Sequence, residues 1–551
     1  MYGSELVEAF REFKAIWDPA GRMNPGKIVD ALPLDRDLRV PRRELRVHPD
    51  THFAYSEDHG SFEHATLRCV GVGACRRMST GTMCPSFKVL REEKHTTRGR
   101  AHLLFEMMRG NTIDDGWKSE AVKESLDLCL SCKGCKGDCP VNVDIATYRA
   151  EFLSHYYKGR RRPAAAYAFG LINRWASLAA HAPAVANAFT QTPGLSRMAK
   201  AIVDMPAERR IPPFAPRSFT SWFREQPAPN ANSPVLLWAD TFNNYFHPES
   251  LASAATVLLD AGYHVSVPSQ SSPMCCGRPL YDYGMVSTAR RRLQKIMREL
   301  APAIDAGTPM VVLEPSCASV FRDELRSLFP DDDHADRLAN MTLTLGEFLL
   351  RPETAYEPPR LGGRVLYHGH CHHRAIMKVD DELTIMRRMG LDVNVPETGC
   401  CGMAGAFGFE ADKYPVSKAI GEQILLPAVR SEAPDTFIVA DGFSCREQIA
   451  QGTERRAMHL ADVIAIALER GAGDRQTLPA RSEPAEVAGT EHKPPALGRA
   501  RVSPLAGLIA GVSILGLAEL LRRTRARRAE HQADDTASPD HESQEEHTHA
   551  H

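Results

Sequence analysis

The chain has 551 residues, 43% of them hydrophobic and 25% charged, enough for three or four ordinary domains, so a single small binding module is excluded. Its 67 Lys and Arg are balanced by 69 Asp and Glu, which leaves no electrostatic case for a nucleic-acid partner. The 14 Cys fall in tight groups with no signal peptide ahead of them, a pattern that predicts a cytoplasmic protein whose thiols serve metal.

At the start, Leu6, Phe10, Phe13 and Trp17 recur at helical spacing, and Asp18, Pro19, Ala20 and Gly21 stop the helix before the extended Met23–Lys27. One helix cannot bury its own apolar stripe, so the segment is expected to pack on a larger body. The stretch Phe13–Ile28 resembles the closing segment of FAD-linked oxidases of the vanillyl-alcohol-oxidase type. That resemblance implies that residues 1–45 are the remnant of such a domain and that its flavin body is absent. Composition alone reads equally as a helix docked on its own neighbours.

Residues 60–160 read as a small helical metal domain with seven Cys. Cys129, Cys132, Cys135 and Cys139, the last followed by Pro140, keep the bacterial ferredoxin spacing without departure. Two-residue gaps let three thiolates converge on one face of a 4Fe-4S cluster, while the fourth Cys serves a second site. A degenerate set lies upstream: Cys69, Cys75 and Cys84, with Val72 where the spacing asks for Cys. By the rule that the Cys before Pro serves the other cluster, Cys84 joins Cys129, Cys132 and Cys135, and Cys69, Cys75 and Cys139 are left with three thiolates. That second site reads as a three-iron cluster, a four-iron cluster with a water or nitrogen ligand, or an empty site; spacing does not choose. A structural zinc site is the competing reading of the whole group.

Residues 161–230, rich in Ala, Arg and Pro, read as a helical spacer with a helix over Ala164–Ala179 and a proline-broken connector at Ile211–Pro216. Short apolar strands and amphipathic helices then alternate, which predicts an α/β layer with a parallel sheet. The order occurs twice, over 231–355 and 360–470. Cys275-Cys276-Gly277 matches Cys400-Cys401-Gly402, 125 residues on, and Cys317 matches Cys445, 128 residues on. Adjacent Cys cannot close a relaxed disulfide with each other, because their Cα atoms are about 3.8 Å apart where bridges prefer about 5.5–6 Å. Metal is the better explanation, with the glycine letting the backbone approach a bulky cofactor. Cys371 completes four thiolates in the second copy; its counterpart in the first is Thr241. The second copy is therefore expected to hold metal, and the first to be structural or weak. His368, His370, His372 and His373 crowd Cys371 as candidate ligands or proton carriers.

The two cysteine stretches over Cys69–Ala101 and Cys129–Leu153 resemble the iron–sulfur region of FAD-linked D-2-hydroxyacid dehydrogenases, the enzymes related to D-lactate, D-2-hydroxyglutarate and glycolate dehydrogenases. Within the first, Arg98 and Arg100 are candidate cofactor-binding residues that donate hydrogen bonds to cluster sulfur. The CCG repeats resemble the cysteine-rich domain shared by the B subunit of heterodisulfide reductase, the C subunit of glycerol-3-phosphate dehydrogenase and the glycolate oxidase iron–sulfur subunit. These likenesses imply an unusual, non-cubane cluster or a quinone-side electron exit, with FAD on a missing domain or partner. The expected whole is a multidomain α+β and α/β protein: a helical ferredoxin-like iron–sulfur domain followed by two tandem α/β CCG repeats. Its expected work is passing electrons from a flavoprotein to a quinone or cytochrome. A heterodisulfide-type thiol–disulfide reductase and a zinc-bound scaffold are the alternatives.

Residues 471–551 are polar and expected to be disordered, except for an apolar run over 504–521 followed by Arg522, Arg523, Arg525, Arg527 and Arg528. This run is expected to lie on the inner face of the cell membrane, its basic block meeting anionic lipid; a solvated helix is the alternative.

Overall fold

The computed structural model describes residues 2–27, 29–33, 50–79, 81–226, 233–268 and 274–471. The apolar run 504–521 and its basic flank lie outside the described residues. Among the described residues no helix is long and apolar enough to cross a membrane. The chain divides into two units, at residues 48 and 49. Among its described residues the first holds one helix, Ser4–Trp17, whose Leu6, Phe13, Ile16 and Trp17 are exposed. Asp18 closes it by accepting the Arg22 and Met23 N–H groups, each at 2.8 Å.

In the second unit, short capped helices surround the ferredoxin-like cysteines. Thr96 caps Thr97–Arg109 through the Gly99 N–H, Ser119 caps Glu120–Asp127, and Asp144 caps Ile145–Tyr156, so each helix start has a hydroxyl or carboxylate for its orphan donors. Their apolar faces bury Leu104, Met107, Val122, Leu126 and Phe152. The stretch read as a spacer is a strap packed on the body. Leu171 breaks the expected single helix into Ala164–Gly170 and Ile172–Ala179. Arg162 donates to the Tyr283 and Gly284 carbonyls, and buried Arg209 donates to the Gly408 carbonyl, Ser417 and Gln448. Such donors fix the strap where a free linker has none.

The two α/β copies follow as expected. Strands β1 (Ser233–Trp238), β2 (Tyr263–Ser266), β3 (Met310–Val312) and β4 (Thr342–Leu343) form a parallel sheet in the order β2-β1-β3-β4. Strands β5 (Arg364–Tyr367), β6 (Asp392–Asn394) and β7 (Phe437–Val439) repeat its first three positions as β6-β5-β7. Leu237 pairs with Val311 in one copy as Leu366 pairs with Ile438 in the other. Val235, Leu237 and Val311 share one core with Val365, Tyr367 and Val439, so neither copy buries its sheet alone. Before β4 a π turn, Val320–Glu324, leads into the short helix Leu325–Leu328.

Candidate metal centre

Four groups of thiols lie along the second unit. The first contains Cys84, Cys129, Cys132 and Cys135, all buried. Cys84 starts the helix Pro85–Leu90, 45 residues before Cys129 in sequence, and the Asp138 carboxylate helps to tie the two stretches together. Asp138 accepts the backbone N–H groups of Thr82 at 2.6 Å and Met83 at 3.0 Å, holding the Cys84 loop against the helix Gly134–Asp138. Left-handed turns at Ser131 and Lys133 (φ +50° and +56°) bring Cys129, Cys132 and Cys135 round one loop. Burial pushes the Cys135 thiol well up, with Asp144, Cys129 and Cys84 adding to it. Burial likewise takes Cys84 to about 11, against the pull of Arg100 and Thr97.

The second group contains Cys69, Cys75 and Cys139. Cys69 and Cys139 are half-buried and Cys75 is buried. Burial raises Cys69, helped by Cys75 and Cys139 and opposed by the Gly71 N–H and Arg98. Val70 and Val72 of the connecting loop are exposed, so the residue standing where the spacing asks for a fourth thiol faces solvent.

The hydrogen bonds expected from arginine to sulfur go elsewhere. Arg98 Nε donates to Glu93 at 2.7 Å, and Arg100 donates to the Ser125 carbonyl and to Ser86. Both guanidiniums act on the thiols by charge, Arg98 on Cys69 and Cys75 and Arg100 on Cys84. The Thr97 N–H is the direct donor, 2.9 Å from Cys84 Sγ.

The third group stands where three parallel strands end, the usual place for ligands on such sheets. Cys371 follows β5, Cys400 and Cys401 follow β6, and Cys445 begins the helix Phe443–Gly452 after β7. Cys400 is hydrogen-bonded to Cys371 and Cys401, which with burial push it well up. Cys401 is held well below the ordinary thiol range by hydrogen bonds from Cys400 and Cys445, with His368 adding to them against burial. His368 also meets Thr398 Oγ1 at 2.5 Å. His373 lies 3.2 Å from Glu382, whose charge, against the effect of burial, raises its proton affinity. The glycine after the pair has a packing reason: Gly402 has φ +90°, and a Cβ there would stand 2.2 Å from the Ser417 carbonyl. It seats the helix Tyr414–Gln423, and no cofactor is needed to explain it.

The first copy repeats this arrangement with Cys275 hydrogen-bonded to Cys276 and Thr241, and with Cys276 2.9 Å from Cys317. Thr241 thus occupies the place of Cys371.

The first and third groups meet. Cys132, Cys371 and Cys400 share one buried cluster with Leu130, Phe407 and Ile420. A Cβ on Gly137 would lie 2.9 Å from Ala375 Cα, so only glycine lets the ferredoxin-like loop come this close to the turn after Cys371. Lys133, fully buried, meets Asp144 of its own domain at 2.9 Å and clamps the same loop to the first copy through Asp323 at 2.5 Å. Sequence reasoning missed Asp138, Lys133 and Gly137, whose roles depend on partners far along the chain; the unbroken run Lys133–Cys139 offered only its cysteines as a signal.

These residues fit iron–sulfur clusters. Burial makes most of the thiols costly to ionise, so thiolates need a cationic centre beside them. Among the described residues no three Cys, His, Asp or Glu side chains are arranged to share one metal ion, whereas the irons of a cluster each take a separate thiolate.

A family model described as a 4Fe-4S dicluster domain matches residues 65–143, and one described as a cysteine-rich domain matches 365–450. The D-2-hydroxyglutarate dehydrogenase of Pseudomonas putida is 26% identical over 507 residues, 84% of this chain and 49% of the relative. The glycolate oxidase iron–sulfur subunit of Escherichia coli is 25% identical over 418 residues, 73% of this chain and 94% of the relative. The C subunit of the anaerobic glycerol-3-phosphate dehydrogenase of Escherichia coli is 28% identical over 290 residues, 52% of this chain and 72% of the relative. The chain spans about half the length of the D-2-hydroxyglutarate dehydrogenases it matches. It is thus a homologue of these dehydrogenases and iron–sulfur subunits, carrying a 4Fe-4S dicluster domain ahead of a cysteine-rich domain.

Proposed function

We propose that the chain is the electron-relay part of an FAD-dependent D-2-hydroxyacid dehydrogenase. Its donor class is D-lactate, D-2-hydroxyglutarate or glycolate, and its electron source is a flavoprotein domain or subunit. A quinone or cytochrome is the acceptor. The observation that carries this reading is the shared burial of Cys132, Cys371 and Cys400, which sets two thiol groups from distant parts of the chain side by side.

Iron–sulfur clusters, when bound, exchange one electron at a time, whereas oxidising a hydroxyacid removes a hydride, which a flavin can take. Cys84, Cys129, Cys132 and Cys135 would hold one cluster, and Cys69, Cys75 and Cys139 would hold the second, short of a thiolate. Cys371, Cys400, Cys401 and Cys445 would hold the third. Arg98, Arg100 and Lys88 supply positive charge beside these groups, which favours the more reduced, more negative state. The half-exposed Cys69 and Cys139 are the thiols best placed for exchange with an external protein, and the buried groups lead inward from them. The expected place of work is the cytoplasm, with residues 504–521 as the contact to the inner membrane face.

The test uses the full chain purified without oxygen. Iron and sulfide should be present in amounts above one 4Fe-4S cluster, and chemical reduction should give cluster electron-spin resonance signals. Hydroxyacid should reduce an added dye only when a flavoprotein is supplied. Iron-free protein refutes the reading, as does hydroxyacid turnover by the flavin-free chain.

A further inference from the structure

A cavity of about 210 Å³ opens between the helix Pro85–Leu90 and the loop carrying Cys400. Its lining includes Pro85, Ile420 and Ile424 on the apolar side and Lys88, Arg91 and Gln423 on the polar side, and Cys400 is the thiol that reaches it. Ile424 stands at the rim, 36% exposed. The Lys88 ammonium is anchored 2.6 Å from the Gly81 carbonyl, and its charge acts on Cys84, Cys132 and Cys400 together. The cavity therefore touches the place where the ferredoxin-like and CCG groups meet.

What can use it follows from size, access and chemistry. Pockets for drug-sized ligands usually enclose about 300–1,000 Å³, so this one suits a single small ring and not a dinucleotide. Cys371, Cys400, Cys401 and Cys445 are only 1–4% exposed, so a protein acceptor meets no sulfur at this group, whereas a small molecule entering the cavity meets Cys400. Apolar side chains suit a flat ring. The Lys88, Arg91 and Gln423 N–H groups suit carbonyl oxygens that gain negative charge on reduction, while Glu397 in the lining disfavours a ligand already strongly anionic.

We infer that this cavity seats the head group of a small neutral quinone, the terminal acceptor of the relay, against Cys400 with its oxygens toward Lys88 and Arg91. This rests on the relay reading above. The quinone takes two electrons, delivered singly, and two protons from solvent at the mouth, and leaves as quinol. The hydroxyacid loses the same two electrons and two protons and becomes the oxoacid, so the exchange balances.

Duroquinone is a suitable probe, since its fully substituted ring leaves thiols no open position to attack. Titrated calorimetrically into the anaerobic full chain, it should bind saturably at one site. Ile424→Trp fills the rim and should weaken binding at least tenfold with iron content and melting temperature retained, and Lys88→Gln, which also removes a charge beside the thiol groups, should weaken binding by a similar factor. Absence of saturable binding to iron-loaded protein overturns the assignment, as does unchanged affinity in Ile424→Trp. Displacement of duroquinone by a carboxylate-bearing small disulfide overturns the ligand class. Iron-free wild-type protein would refute the relay, whereas iron-loaded protein that ignores duroquinone refutes only the cavity's role.

Discussion

Replacing Asp138 by Ala tests how the ferredoxin-like site is assembled from two stretches of chain. The carboxylate accepts two N–H groups, from Thr82 at 2.6 Å and Met83 at 3.0 Å, on residues each 4% exposed. Its loss leaves both donors without their acceptor in a place water reaches poorly. At about 1–3 kcal/mol for each buried group left unpaired, with some recovery by relaxation, the cost is about 2–4 kcal/mol. Tenfold per 1.4 kcal/mol makes this about 30- to 700-fold in the equilibrium holding Cys84 beside Cys135. Iron extraction by a chelator, followed anaerobically, should accelerate in Asp138→Ala toward that range, while far-ultraviolet dichroism stays native. Asp138→Asn keeps an acceptor oxygen and should fall between Ala and wild type. An Ala variant that loses iron within twofold of the wild-type rate would show that the carboxylate does not assemble the site.

Cys401→Ala should abolish electron delivery to a quinone analogue while Cys276→Ala retains most of it, because Thr241 leaves the first copy one thiol short; equal loss in stopped-flow traces would contradict this. His247 stands 3.0 Å from Glu249 and 3.1 Å from Glu447, and although burial lowers its pKa, the two carboxylates win and raise it, while both carboxylates are lowered despite burial. A raised histidine stabilises fully below its unfolded pKa and loses that effect as pH rises, and lowered carboxylates lose theirs as pH falls, so the melting-temperature gap between wild type and His247→Gln should peak at about pH 5–6.5. A pH-independent gap counts against the triad. Phe13, with Leu6, Ile16 and Trp17 exposed on its helix, should dock the flavoprotein; burying one such side chain contributes about 1.5–3 kcal/mol, so Phe13→Asp should raise the flavoprotein concentration for half-maximal coupling at least tenfold, and unchanged coupling would exclude that face.

Much of this was legible because its signals are local. The spacing of Cys129–Cys139 needs only a loop, and the alternation of apolar runs and amphipathic stretches marks β1, β2, β3, β5 and β7 without knowledge of their partners, whereas the short β4 and β6 carry too little apolar sequence to show. Repetition added a second reading of the same pattern, which is why Thr241 could be matched to Cys371 before any geometry was known. What stayed hidden depends on distant partners. Arg209 reads as one more charge in a basic spacer, yet it is buried against Ser417 and Gln448, and that contact turns the spacer into a strap. Arg98 and Arg100 were legible as charges near sulfur, but their hydrogen bonds were not, since Glu93, Ser86 and the Ser125 carbonyl compete for the same donors. Gly137 carries no sign of Ala375, 238 residues away, although their contact sets how closely two thiol groups approach.

The two copies share a fold and differ in electrostatics, and the difference bears on which one lies on the electron path. In the first, Asp240 is raised to about 6 by burial and by Glu314, and both carboxyls act on Cys317, which burial takes to about 12. Cys275 and Cys276 are also pushed well up. Three thiolates there would crowd negative charge beside two buried acids, offset in part by Arg292 near Cys275 and Arg278 near Cys276, with no fourth sulfur to complete the set. In the second copy Cys400 and Cys445 are pushed up as well, but Cys401 is held low with His368 against it, the Lys88 ammonium acts on Cys400, and Cys371 stands where the first copy has Thr241. It is also the copy whose thiols share a buried cluster with Cys132. Ligand number and position therefore favour the second copy as the one on the proposed electron path.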